Sequence, residues 1–160
     1  MQLESNILID KMKRTSRISV ALISVFLLHF ASSAASSFEE IKRMAELGDT
    51  VAQLNLGNSY YVGNGTPQNY KEAAKWYLVA AKKGNAIAQN NLGMMYSVGI
   101  GVPKILIKAY VWSSVAAAKG NDQAKKNRDT LARELTRLQL ARAQKIAQRC
   151  FDTDFKDCAR

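Results

Sequence analysis

The sequence predicts an all-α fold, an α/α solenoid of antiparallel helical hairpins. Two observations carry that reading. Residues 48–83 align with residues 84–119 without a gap, and the identities fall at helical spacing on either side of a glycine-proline loop. Self-similarity at a period of about twenty to fifty residues is what stacked supersecondary units produce. With 160 residues, 48% hydrophobic and 22% charged, the chain has the bulk and balance of one folded domain.

Residues 1–35 are expected to stand apart as a signal peptide. Lys11, Lys13, Arg14 and Arg17 precede an apolar run, residues 18–30 (ISVALISVFLLHF), and small residues follow with a cleavage point after Ala34 or Ala35. The apolar run is shorter than the roughly twenty residues that span a bilayer, so no stable membrane span is expected after cleavage. The alternative is an uncleaved anchor in the inner membrane. A start at Met12 would give a compact signal. The reading places the mature chain in a periplasm or outside the cell, with a net charge of +8 once four basic and two acidic residues are removed.

Residues 36–47 read as an N-terminal capping half-repeat, since Ala45 aligns with Ala81 and Gly48 with Gly84. In the first full unit, 48–83, Ala52, Leu56 and Tyr60 recur every four residues and form one apolar stripe. Gly57 beside them costs about 1 kcal/mol of helix propensity, which points to a close helix neighbour. Gly63, Gly65 and Pro67 make the turn. Ala73, Trp76, Ala80 and Ala81 then put a second helix face inward. The second unit, 84–119, repeats the pattern with Gly93, Tyr96, Gly99, Gly101, Pro103 and Trp112.

Residues 120–149 are expected to form a C-terminal capping hairpin. They open with Gly120-Asn121, matching Gly84-Asn85, and hold Thr136-x-x-Gln139, a capping box, ahead of Leu140, Ala143 and Ala147 on one stripe. Residues 150–160 are a tail. Its two cysteines, Cys150 and Cys158, read in an exported chain as a disulfide that pins it, the alternative being two unpaired thiols.

The consensus A-x-x-x-L-G-x-x-Y, then G-x-G-x-P, then A-x-x-W-x-x-x-A-A-x-x-G resembles the Sel-1-like repeat family, a relative of tetratricopeptide solenoids. The likeness covers residue 48 to about 124 in two copies and part of a third, and the run 135–147 resembles the helix that ends such arrays. The resemblance implies a non-enzymatic scaffold or regulator that binds proteins. Some cysteine-rich members are associated with β-lactam binding, but they carry a cysteine pair in each repeat, whereas the pair here lies outside the repeats.

The inventory agrees with the absence of catalysis. The only histidine, His29, lies within the signal segment, so the mature chain lacks the commonest general base and metal ligand. Asp152, Asp154 and Asp157 between the cysteines lack the glycine and terminal glutamate of a calcium loop. The G-x-G fragments precede proline between helices and read as turns, not phosphate cradles. No catalytic residue, cofactor or metal is expected. The rival readings are a binder or hydrolase of cell-wall fragments or β-lactams, and a secreted effector that binds host proteins.

Candidate partner contacts fall in three places. Ile105, Leu106 and Ile107 replace the polar start of the second helix, where the first unit has Asn69, and either form an exposed patch or pack on the third hairpin. Tyr61, Tyr77 and Asn64 depart from their counterparts Ser97, Ser113 and Ile100. Residues 121–149 hold eight basic and three acidic residues, Arg133 and Arg137 among the basic ones. They form a solvated cap face or a contact for an acidic partner or anionic envelope surface; nucleic acid is not an expected partner of an exported chain.

Overall fold

The computed structural model describes residues 37–155 and Cys158, so the expected signal peptide lies outside the described residues. The described chain is helical throughout: α1 over 37–46, then α2 Thr50–Val62, α3 Tyr70–Lys82, α4 Ala86–Val98, α5 Leu106–Ala118, α6 Asp122–Glu134 and α7 Arg137–Asp152. It is the all-α solenoid of hairpins that the repeat predicts.

Helix starts recur every 36 residues because their caps do. The side chains of Asp49, Asn85 and Asn121 accept from the backbone N–H of Ala52, Ala88 and Ala124 at the heads of α2, α4 and α6. Gly63 and Gly99 close α2 and α4 in the left-handed region, at φ 80° and 87°. The loop then folds back the same way in both units. The Asn69 N–H donates to the Tyr60 carbonyl at 2.8 Å, and the Ile105 N–H to the Tyr96 carbonyl at 2.9 Å.

Hairpins pack α2 on α3 and α4 on α5, α3 joins one unit to the next through α4, α6 lies on α5, and α7 lies on α5. Two further identities explain the junctions. Gln53 and Gln89 donate from Nε2 to the carbonyls of Ala45 and Ala81, both at 3.0 Å in buried positions. Lys83 and Lys119 reach back a whole unit to the carbonyls of Gly48 and Gly84, at 2.7 and 2.9 Å. The glutamines add a second donor to the Ala45 and Ala81 carbonyls, which also accept from the N–H of Gly48 and Gly84, and the lysines satisfy carbonyls just past a helix end.

The core runs along the stack. One cluster joins α2–α5 through Leu54, Leu92, Val111 and the fully buried Trp112 to Ala147, Cys150 and Phe155 at the far end. Phe38, Ala45, Ala52 and Leu56 seal the near end with the half-buried Trp76. Ala109, Leu131, Leu135 and Ala143 fill the space under α5, α6 and α7. Thr136 and Gln139 form the expected capping box at the head of α7.

Cys150 and Cys158 are joined in a disulfide, their Cα atoms 4.5 Å apart. Closing a loop this short contributes roughly 2–3 kcal/mol in the chain-entropy account. It holds Phe155 under Lys119, with the Nζ 4.6 Å from the ring centroid, where the ring also covers Gly84. Among the described residues no helix is long and apolar enough to cross a membrane.

Candidate functional site

The site is best seen by laying one hairpin over the other. In the first unit the Tyr77 ring of α3 lies across Gly57 of α2, so closely that a Cβ on Gly57 would stand 2.6 Å from ring carbon Cδ1. That is the close approach the glycine anticipates. The Tyr77 hydroxyl donates to Asn58 Oδ1 at 2.7 Å, and the residue is 2% exposed. Burial pushes its phenol up to about 12.

In the second unit the same geometry meets a smaller side chain. Gly93 replaces Gly57 and Ser113 replaces Tyr77, with Ser113 Oγ 2.9 Å from where a Cβ on Gly93 would stand. There α5 itself comes against Gly93, with the Ser113 backbone nitrogen and the Ala109 carbonyl oxygen each 3.3 Å from that point. Beside this contact, among α4, α5 and α6, lies a cavity of about 420 Å³, within the range of ligand sites. Its apolar walls are Tyr61, Met94, Val98, Ile100 and Leu131; its polar lining is Ser113, Asn127, Thr130, Lys104 and Glu134.

The polar lining is partly held and partly free. Asn127 donates to Asn90 Oδ1 at 3.0 Å and accepts from Gln123, which fixes its amide, and Thr130 Oγ1 accepts from Arg133 at 3.2 Å. The Ser113 hydroxyl is buried and has no partner within the protein. A buried hydroxyl without a hydrogen bond costs on the order of 1–3 kcal/mol. Lys104 and Glu134 make no ion pair with a described residue, so the cavity carries one free cation and one free anion.

The structure sorts the sequence candidates. Tyr61 lines the cavity, set edge-on to Tyr70 with centroids 5.2 Å apart. Tyr77 is 2% exposed and fills the interior of the first hairpin against Gly57, and its counterpart Ser113 is buried as well. Arg133 is exposed and touches the site through Thr130; Arg137 is exposed on the first turn of α7.

The apolar triplet divides. Leu106 and Ile107 are partly buried against the cluster of Ala109, Leu131 and Leu135, so most of it packs on the last helices. Ile105 alone is exposed, at 36%, and caps α5 without a side-chain hydrogen bond. It borders a second, apolar hollow of about 210 Å³ with Ile107, Val111, Arg142 and Cys158. Among the described residues no group of three or more histidine, cysteine, aspartate or glutamate side chains could hold a metal ion.

Comparison with known proteins agrees with this architecture. The Sel1 repeat family model matches residues 50–85 and 86–121. A sel1-like repeat-containing protein of Acanthamoeba polyphaga mimivirus is 44% identical over 43 residues, which is 27% of this chain and 7% of that protein. Among solved structures, the chain is similar to a protective antigen present in uropathogenic Escherichia coli strains displaying an SLR fold, with TM-score 0.72 and 29% identity over 78% of this chain and 27% of that one. It is also similar to a Sel1 repeat protein from Oxalobacter formigenes, with TM-score 0.60 and 41% identity over 61% of this chain and 28% of that one. The chain therefore spans less than a third of each relative.

Proposed function

Because this chain belongs to the Sel1-like repeat family, we propose that it is a non-enzymatic module of the cell envelope or its exterior that holds a protein partner against its second repeat. Sel1 repeat proteins generally mediate protein–protein interaction. The observation that carries the reading to this surface is the apolar rim of the cavity: Met94 is 40% and Val98 64% exposed, beside a buried hydroxyl that lacks a partner. Apolar side chains grouped around a concave site mark binding surfaces more often than isolated ones do.

Export rests on the charged, apolar and small-residue order of residues 1–35, and the Cys150–Cys158 disulfide is in keeping with an oxidising compartment. The test is crosslinking in intact cells, comparing the wild type with a Val98→Glu variant. A discrete partner captured by the wild type and lost from the variant is the expected result; no captured protein above background would overturn the reading. The same experiment with Ile105→Asp reports whether the second hollow contributes.

A second reading, action on host proteins after secretion, draws on the Escherichia coli neighbour, a protective antigen. Fractionation of cultures separates the two, because a resident envelope protein stays with the cells.

A further inference from the structure

We infer that the outward face of α7 docks on an anionic phospholipid bilayer. This surface is separate from the cavity of the second repeat, and the inference adds it to the protein-binding reading above.

The helix puts its cations on one line. At about 100° per residue, Leu138, Arg142, Lys145 and Arg149 fall within about 60° of arc and run along about 16 Å of the axis. The buried residues of α7, Ala143, Ala147 and Cys150, lie on the other side, against the core. Arg142, Lys145 and Arg149 are exposed, and none makes an ion pair or a side-chain hydrogen bond to a described residue. Asp152, the one acid of α7, closes the stripe at its C-terminal end and accepts from Gln148 Nε2 at 2.9 Å. The stripe therefore holds three unneutralised charges that repel one another, and an anionic surface relieves that repulsion.

Three further observations point to a bilayer rather than an acidic protein. Leu138 is 82% exposed, more than any other large apolar side chain among the described residues, and it lies on the same stripe as the cations. An exposed leucine beside long basic side chains that reach phosphates is the pattern of an interfacial helix, its apolar tip set in the headgroup layer. The face is also the convex outer side of a single helix. Leu138, Lys145 and Arg149 line neither cavity described above, so a protein finds no cleft there to enclose an anchoring side chain. Lastly, charge is polarised along the array. Residues 37–62 carry four acids and two bases, a net −2, whereas α7 carries four bases and one acid, a net +3. A negatively charged plane turns such a molecule so that α7 arrives first.

The test uses the mature chain, residues 36–160, which contains every described helix. The probes are vesicles of equal parts phosphatidylglycerol and phosphatidylcholine, vesicles of phosphatidylcholine alone, and poly-glutamate. The protein is expected to sediment with the anionic vesicles only, and raising salt from about 0.1 M to about 1 M, which shortens the screening length from about 10 Å to about 3 Å, should release it. A cation near such a surface strengthens binding about 5-fold, so Arg142→Gln, Lys145→Gln and Arg149→Gln together should weaken it on the order of 100-fold. Lys71→Gln, Lys75→Gln and Lys82→Gln on α3 remove the same charge from another helix and should weaken it by less than about 5-fold. Leu138→Ser should weaken binding to the vesicles but not to poly-glutamate. Every substituted residue is exposed, so the variants should melt as the wild type does.

No sedimentation with the anionic vesicles, equal sedimentation with the neutral ones, binding that survives about 1 M salt, or an α7 variant that binds no more weakly than the α3 variant would overturn the inference. Poly-glutamate bound as tightly as the anionic vesicles, or a Leu138→Ser variant that binds both as the wild type does, overturns it too and assigns the face to an acidic protein. Cellular crosslinking separates this from the broader reading. Vesicle binding without any captured partner keeps the α7 face and removes protein binding at the second repeat. A captured partner without vesicle binding does the reverse.

Discussion

The two repeats share a frame and differ in what fills it. The caps of α2, α4 and α6, the loop closures and the junction glutamines and lysines recur at intervals of 36 residues, the glutamine bonds at the same 3.0 Å. Yet Gly57 is covered by the Tyr77 ring, and Gly93 by the Ser113 hydroxyl and the α5 backbone, with a cavity alongside. The difference teaches that identical positions in this chain maintain the solenoid, while the Tyr77/Ser113 position decides whether a ring or the neighbouring helix itself covers the glycine.

Exchanging the filler tests the contrast most strongly. Tyr77→Ser should hollow the first hairpin and lower stability by about 3–5 kcal/mol, the usual cost of truncating a buried aromatic, measured by urea unfolding. A loss under about 1 kcal/mol would mean that the first hairpin can collapse around the gap and that the two units differ less than they appear.

Next in size are the paired glycines. Gly57→Ala pushes a methyl into a rigid ring and should cost about 1–3 kcal/mol. Gly93→Ala meets a hydroxyl that can rotate, though the Ala109 carbonyl lies 3.3 Å away, and gains about 1 kcal/mol of helix propensity. Thermal melts should therefore place Gly93→Ala well above Gly57→Ala; equal melting temperatures would show that the Tyr77 ring moves aside freely.

The caps of α3 and α5 give a smaller, reciprocal pair. Asn69 accepts from the Glu72 N–H, whereas Ile105 offers no side-chain cap. Asn69→Ile should lose about 1 kcal/mol and Ile105→Asn gain a similar amount, read from denaturant midpoints. If Ile105→Asn is neutral, apolar contacts of Ile105 around the second hollow offset the missing cap.

The last effect is a titration. With Tyr77 raised from 10.0 to about 12, the folded chain keeps a proton that the unfolded chain has lost. Between those values the folded state binds more protons, so this contribution to stability is present below pH 10 and declines as pH rises toward 12. Ultraviolet titration should show a late phenol that disappears in Tyr77→Phe. Its persistence would assign the late titration to another tyrosine.

Much of the fold was legible because its signals are local. An N-cap bonds three residues ahead, a left-handed glycine closes its own helix, and Thr136 with Gln139 forms a box within one turn. Glycine 57 announced a close neighbour for the same reason, since only a packing demand explains a glycine inside a helix. The site was legible only in half. The Tyr77/Ser113 departure is visible in the alignment, but the burial of Tyr77 is not, because a period read along one helix does not tell how deep a neighbouring helix sits. Lys104 carried no signal, since it precedes α5 and meets α6 only across the fold, and although Asn127, Thr130 and Glu134 share one face of α6 at i, i+3 and i+7, that spacing does not tell what the face lies against.

By itself, then, the sequence determined the helix ends, the 36-residue register and the hairpin class, all of which follow from interactions within a few residues repeated in tandem. Only the tertiary structure decided that Tyr77 is core, that Leu106 and Ile107 pack inward while Ile105 stays exposed, and that a cavity lies among α4, α5 and α6. Those outcomes depend on the facing helix, and the space between two helices is a property of both surfaces at once.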